Sequence, residues 1–481
     1  MPEYTHRAVA RVSLQTEAPL SIATGLQDGL FDTALARDAN DLPLIPGTSV
    51  AGVLRHLYRH VWENLGPEQQ QSCLAPEQLF GFTGKNHDEG QASRLELSFG
   101  YVHDSTNRSV EGVCLHRDDD PLLKWLAQTQ PVTREGVAIN ARGAAVDQAK
   151  FDRAVAPKGI RFSLQLAMWN GDSAVENNSF DLLLALFQDP RFRLGGKTRS
   201  GFGQVSVVSM STRNFNLAYS QGGTDDYSAY AALPAQLSDH AGLNAFTVEP
   251  PETDLVALKL VLEPDSFWRM GAGNDDLKRG ERPADIRSWL EPVVGYVNGS
   301  AKVKGPVPVL AASGLKGAIA HRVVYHYNCI VGNFARSAED IAAFSGSQNP
   351  AIKGLFGYAN ESVANQQQGQ AGHLWFSDTY VMNVEPETMV GRQMHNKIDR
   401  FTGGTINGAL YEEELLYKTQ ELTTTIVINK AAIEGDNLLL ALQCALNDLV
   451  QGRLSLGGGA SKGHGYFHGR VEGIEQLEVA Q

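Results

Sequence analysis

Cysteine is scarce in this chain, long apolar runs are missing, and positive charge is in deficit. The four cysteines, Cys73, Cys114, Cys329 and Cys444, stand far apart among 481 residues and form no CxxC pair. That argues against both a disulfide framework and a cysteine-built zinc site. No stretch approaches the ~20 consecutive apolar residues that a membrane-spanning helix needs. The opening Met1-Pro-Glu-Tyr-Thr-His-Arg7 also lacks the apolar segment of a secretory signal. The expectation is a soluble, cytoplasmic protein without a membrane partner. Lys and Arg number 41 against 54 Asp and Glu, a formal charge of −13. Such a balance argues against a general nucleic-acid coat, whose affinity comes from neutralised phosphates. A local basic groove is still allowed, because fields act over roughly 8–10 Å.

Carboxylates are absent where positive charge is densest. Arg191-Phe-Arg-Leu-Gly-Gly-Lys-Thr-Arg-Ser-Gly-Phe-Gly203 carries four glycines and four basic residues with no Asp or Glu. It follows the helix-like run Leu182–Phe187 and precedes the strand-like Gln204–Val208. Glycines let backbone N–H groups approach a ligand and form concave anion nests, and added Lys and Arg favour phosphate. The GGKT tail does not make a nucleotide-binding P-loop: GxxxxGK[ST] needs a glycine where Arg191 stands. A plain glycine-rich turn is the alternative. A second copy, Arg453-Leu-Ser-Leu-Gly-Gly-Gly-Ala-Ser-Lys-Gly-His-Gly465, strengthens the phosphate reading.

That copy belongs to a wider duplication. Ile45–Arg55 opens a helix with Thr48 or Ser49 as its expected cap and an apolar face through Val50, Val53, Leu54, Leu57, Tyr58 and Val61. Its counterpart is Leu310–Arg322, with Ser313 as the expected cap. Leu79-Phe-Gly81 answers Leu355-Phe-Gly357, and Ile139–Ala145 answers Ile398–Gly404. These landmarks keep one order, each pair about 260–275 residues apart, which is the mark of a duplicated domain. The expected division is 1–212, a connector over 213–252, and 253–481. Each repeat reads strand, loop, helix, strand, insertion, strand, helix, glycine loop, strand. The fold class expected is α+β: two tandem ferredoxin-like (RRM-like) βαββαβ domains with thumb-like and loop insertions.

The segments IPGTSVAGVLRH, LFG, GVAINARGAAVDQAKFDRAVAPKGIRFSLQL and LGGKTRSGFG, matched in repeat two by SGLKGAIAHR, NKIDRFTGGTINGALYEEE and LGGGASKGHG, resemble the RAMP superfamily of CRISPR-associated proteins. The resemblance is closest to the backbone subunits of type III effector complexes, and the tandem arrangement resembles fusions of the D kind. It covers nearly the whole chain apart from the connector and loop inserts. It implies a subunit that wraps guide crRNA, helps form a groove for target RNA, contacts other CRISPR effector subunits and cuts the target. The inserts around Val137–Phe151 and Ile398–Tyr411 resemble the family's thumb, with Phe401, Ile406, Leu410 and Tyr411 as apolar wedge candidates or locally packed residues.

The residues expected at RNA are Thr48, Ser49 and Arg55 at the first helix, Gly195, Gly196, Lys197, Thr198, Arg199, Ser200 and Gly201 on the first glycine loop, Ser313 and Lys316 on the second helix, Arg400 and Phe401 on the insert, and Gly457, Gly458, Gly459, Ser461 and Lys462 on the second glycine loop. The resemblance puts catalysis on the loop after the first strand, where Asp32 takes the catalytic place and would hold Mg²⁺ or another divalent cation at the scissile phosphate. In repeat two that loop is longer; Asp275, Asp276 and Asp285 are the carboxylates available, with Asp276 preferred. Asp28, Asp38 and Asp41 read as polar loop residues, as do the dipeptides His87-Asp88 and His103-Asp104. Two other readings stand beside this endoribonuclease: an RNA-binding scaffold without catalysis, and a guide-RNA-processing endoribonuclease. Processors usually keep one glycine loop, so two loops favour the backbone.

Overall fold

The computed structural model describes residues 4–23, 33–84, 90–128, 132–218, 224–271, 276–277, 282–358 and 369–477. Repeat one contains β1 (His6–Thr16), α1 (Gly47–Asn64), β2 (Gly100–Val102), β3 (Val132–Ile139), β4 (Ala145–Val155), β5 (Arg161–Asn170), α2 (Ala174–Ala185) and β6 (Val205–Asn216). Repeat two contains β7 (Leu255–Pro264), β8 (Leu290–Val297), β9 (Ser300–Leu310), α3 (Ala312–Val331), β10 (Leu374–Phe376), β11 (Val390–His395), β12 (Tyr411–Leu416), β13 (Leu422–Asn429), α4 (Asp436–Val450) and β14 (Phe467–Glu472).

The sheets run β2–β5–β1–β6 and β10–β13–β7–β14, antiparallel at every named pairing. This is the ferredoxin-like strand order in each repeat. Registers agree as well: Leu14 faces Phe162 in repeat one and Leu262 faces Leu422 in repeat two. Each sheet buries one face under its two helices. Helix α1 packs Val50, Leu54, Leu57 and Tyr58 inward, the spacing its sequence predicts, and α4 buries Leu438, Leu442, Leu446 and Leu449.

Three local expectations change. Neither Thr48 nor Ser49 caps α1; Pro46 occupies the cap position and makes no side-chain bond. Ser313 likewise lies inside the first turn of α3, where Asp378 Oδ1, distant in sequence, accepts from Ala312 N at 2.7 Å. The segment between the repeats packs on repeat one: Arg11 donates to the carbonyls of Pro234 and Gln236, and Leu233 and Leu243 pack around Val9 and Phe215 on the open face of the first sheet. This cover explains why β5, whose alternation predicts a half-exposed strand, is largely buried on both faces.

The third change is the largest. Much of the long loop expected after β7 is the hairpin β8–β9, turned at Asn298 (φ 51°) and Gly299 (φ 80°). Two positive φ values in a two-residue loop make the turn that matches strand twist, and Asn-Gly is the pair that adopts it most readily. The hairpin crosses to repeat one: Val294 N donates to Lys158 O at 2.9 Å, Ala301 N donates to Ser105 O at 2.8 Å, and Val294 and Ala301 join the first core.

Candidate nucleic-acid interface at the repeat junction

The two glycine loops are superposable in their bonding. Leu194 N donates to Gly203 O as Leu456 N does to Gly465 O, and Gly196 N reaches Ser21 O as Gly458 N reaches Arg269 O. Gly195 and Gly457 both hold φ of +81°, and a Cβ on either would collide with the carbonyl oxygen of Ser21 or Arg269. These glycines therefore serve close packing against the loop that follows each first strand.

The first loop lies on repeat two. Arg193 is buried, donates to Phe376 O at 2.7 Å and Thr198 O at 3.0 Å, and burial pulls its pKa down to about 10. Arg199 stacks over Trp375 at 4.8 Å and donates Nε to Gly372 O. At Gly201 a side chain would strike Asp378 and Ala312. Arg191 pairs with Asp189 at 2.7 Å. Lys197, at φ 57°, stays exposed, its ammonium 5.4 Å from the Phe151 ring on β4.

Beside this loop stands Lys316, in the second turn of α3. Its ammonium has no carboxylate partner among the described residues. Burial, then Lys197 and Arg199, push its pKa down to about 8. Three cationic groups from two repeats thus stand near the start of α3, whose first N–H is already taken by Asp378. Arg134 on β3 fixes the junction from below. It is bidentate to Glu291 at 2.7 Å for both bonds and donates to Asp378 Oδ2 at 2.7 Å, while Tyr380 Oη and Trp289 Nε1 donate to the same Glu291 at 2.8 Å. Sequence reading missed Arg134, Glu291 and Asp378. The one available signal was Asn298-Gly299 between β-rich runs, which marks the hairpin bearing Glu291.

The second loop is organised differently. Buried Glu413 on β12 accepts from Lys462 Nζ at 2.8 Å and Arg269 Nε at 2.6 Å, with His395 Nε2 at 2.9 Å. Although burial alone would raise it, Lys462 and Arg269 hold Glu413 down to about 2. Lys462 also lies over the Tyr411 ring at 4.9 Å. Gly457, Gly458, Gly459 and Ser461 stand on that loop.

The insertions form two arms. β3–β4 leaves Val137, Ile139 and Val146 exposed, and β11–β12 ends in the segment carrying Arg400 and Phe401. Phe401 is fully exposed (101%), Leu410 is exposed, and Tyr411 stacks on His395 at 4.9 Å. Asp399 shapes this tip by accepting from Phe401 N and Thr402 N at 2.7 and 3.0 Å. On α1, Arg55 is exposed beside Gly81 O, and Arg59 pairs with Glu77 at 2.8 Å.

Asp28, Asp32 and Asp275 lie outside the described residues, as do His87 and Asp88. Asp276 accepts from Arg392 Nη2 at 3.1 Å and has Arg287 Nε at 3.6 Å. Thr33 and Ile286 are counterparts by bonding: Ala154 N donates to Thr33 O in repeat one, and Glu414 N donates to Ile286 O in repeat two. The residue before Ile286 is Asp285, exposed, with Oδ2 accepting from Glu412 N at 2.8 Å. His103 is buried between Ser163 and Asn107, and burial lowers its pKa to about 4, in keeping with a structural role.

No helix among the described residues is long and apolar enough to cross a membrane. No curated protein matches the chain. The family model for the RAMP superfamily matches residues 13–206 and again 261–468, one match on each sheet. The chain therefore belongs to the RAMP superfamily, twice over, and with it to the CRISPR-associated RNA-binding proteins.

Proposed function

We propose that this chain is a backbone subunit of a type III CRISPR effector complex, of the tandem D kind, that holds guide crRNA and cuts complementary target RNA. The observation that carries the RNA-binding part is the convergence of Lys316, Lys197 and Arg199 near the start of α3, none of them ion-paired with a carboxylate among the described residues. A phosphate there would relieve the repulsion that Lys197 and Arg199 exert on Lys316. Ser313, exposed in the first turn, and Thr198 and Ser200 on the facing loop complete the polar lining. The exposed tips at Val137–Val146 and Arg400–Phe401 have the apolar surface to wedge between bases of a guide–target duplex, because stacking is worth about 1–3 kcal/mol per base.

Cleavage is assigned to Asp32 in repeat one and to Asp285, its counterpart, in repeat two. The bonded register favours Asp285 over the ion-paired Asp276. A divalent cation would be held by these carboxylates together with oxygens of the RNA itself, and would supply charge stabilisation at the scissile phosphate.

The test uses assembled complex on end-labelled target RNA, comparing wild type with Asp32→Asn, Asp285→Asn and the double variant. Each single change should remove one cut and leave guide and target binding intact. The products should carry 2′,3′-cyclic phosphate, and EDTA should mimic the double variant. An unaltered ladder in the double variant overturns the assignment. Absence of any cut by wild type favours the scaffold, and metal-independent cutting of precursor guide RNA favours the processor.

A further inference from the structure

The helices of repeat two carry a second gathering of cations. Arg322 and His326 lie one turn apart on α3, and Arg453 follows the end of α4. All three converge on one carboxylate. Asp448, buried on α4, accepts from Arg322 Nε at 2.5 Å and His326 Nε2 at 2.7 Å through Oδ2, and from Arg453 Nε at 2.8 Å through Oδ1. This tie fastens α3 to α4, which is its structural use. Its charge does not close, because two guanidinium groups stand against one carboxylate. Asp265, beside Gly452, is engaged by His468.

Its hydrogen-bonding capacity does not close either. Both arginines spend only Nε on Asp448, and among the described residues the terminal nitrogens of both side chains make no hydrogen bond. Because the two Nε atoms sit on the same carboxylate, the two open forks are close neighbours. An open arginine fork is the group that takes phosphate bidentately. The Arg453 side chain is 55% exposed and that of Arg322 is partly so, which leaves both within reach of a ligand. Next to them Tyr325 is 54% exposed, with Arg322 4.8 Å from its ring centre and the His326 ring edge-on at 5.2 Å. A tyrosine so exposed adds little to the core. It offers a planar surface on which a base can stack, with phosphate-binding forks alongside.

We infer that this helix face of repeat two is a nucleotide site, in which Arg322 and Arg453 hold a phosphate monoester and Tyr325 stacks the attached base. A free mononucleotide and the phosphorylated end of an RNA share that chemistry. The inference does not depend on the RNA contacts proposed at Lys316. The purified full chain is titrated calorimetrically with adenosine 5′-monophosphate, adenosine and inorganic phosphate. The wild type should bind one adenosine monophosphate per chain, at least about tenfold tighter than adenosine or phosphate alone. Tyr325→Ala leaves all three partners on Asp448, so it should keep the melting temperature and weaken the nucleotide at least about tenfold. Arg453→Gln should weaken the nucleotide and phosphate alike, whereas Lys316→Met should bind the nucleotide as the wild type does. A 5′-phosphorylated tetra-adenylate, titrated into Lys316→Met, separates the two sources. Binding tighter than that of the mononucleotide identifies an RNA end, and binding no tighter identifies a free nucleotide. Absence of saturable nucleotide binding by wild type, equal binding by Tyr325→Ala, or loss of binding in Lys316→Met each overturns the inference.

Discussion

Replacing Lys316 with Met should make the free protein more stable and its RNA complex weaker. Burial beside Lys197 and Arg199 lowers the lysine from 10.5 to about 8. At about 1.4 kcal/mol per pKa unit, holding it charged costs the folded state of the order of 3 kcal/mol. Its ammonium is not fully dry, so about 1–3 kcal/mol is the recoverable part. The sign follows from linkage. The folded pKa lies below the unfolded one, so the penalty is complete below pH 8 and shrinks as pH rises from 8 towards 10.5. Lys316→Met should therefore raise the melting temperature at pH 7 by about 3–8 °C, and the gain should vanish near pH 10. In RNA binding the order reverses: the variant should lose affinity at pH 7, with a shallower salt dependence for the missing phosphate contact. Wild type should take up a proton on binding RNA near pH 8.5, read by calorimetry in buffers of different ionisation enthalpy. A variant that melts no higher than wild type at pH 7, or that binds RNA equally well, refutes the argument.

Arg134→Ala should cost about 3–5 kcal/mol, since it strands Glu291 and Asp378 as buried carboxylates without their cation; calorimetry should show the loss, and cleavage at the connector should then separate the repeats more easily. Glu413→Gln should flatten the acid limb of stability: the wild-type contribution is full above pH 4.5 and decays as pH falls through about 2, whereas the variant lacks that slope in acid titration of unfolding. Phe401→Ala should leave the melting temperature within about 1–2 °C while changing the spacing or efficiency of target cuts on a sequencing gel.

The fold was legible because its signals are repeated. Val50, Leu54, Leu57 and Tyr58 keep helical spacing, and four landmarks recur in order, so an error at one is corrected by its twin. The junction was not legible, because no local pattern encodes a contact between Arg134 and Asp378, 244 residues apart. The cap of α3 failed for the same reason: Ser313 is the plausible neighbour, but Asp378 arrives from across the fold and satisfies the helix end first. Asn298-Gly299 was the exception, a local signal inside a segment otherwise read as loop.

The glycine loops show how one composition divides between two duties. Gly195 and Gly457 are required by carbonyl oxygens of the protein itself, so their recurrence says nothing directly about phosphate. Anion preference lies in what surrounds them, and there the repeats diverge. The first loop meets Lys316 and leaves three cations unneutralised among the described residues. The second meets Glu413, which engages Lys462 and Arg269 at once. Equal glycines therefore predict unequal phosphate affinity. Substituting Lys197 should weaken RNA binding with little effect on folding. Substituting Lys462 removes a partner of a buried carboxylate, so stability should fall along with any RNA contact.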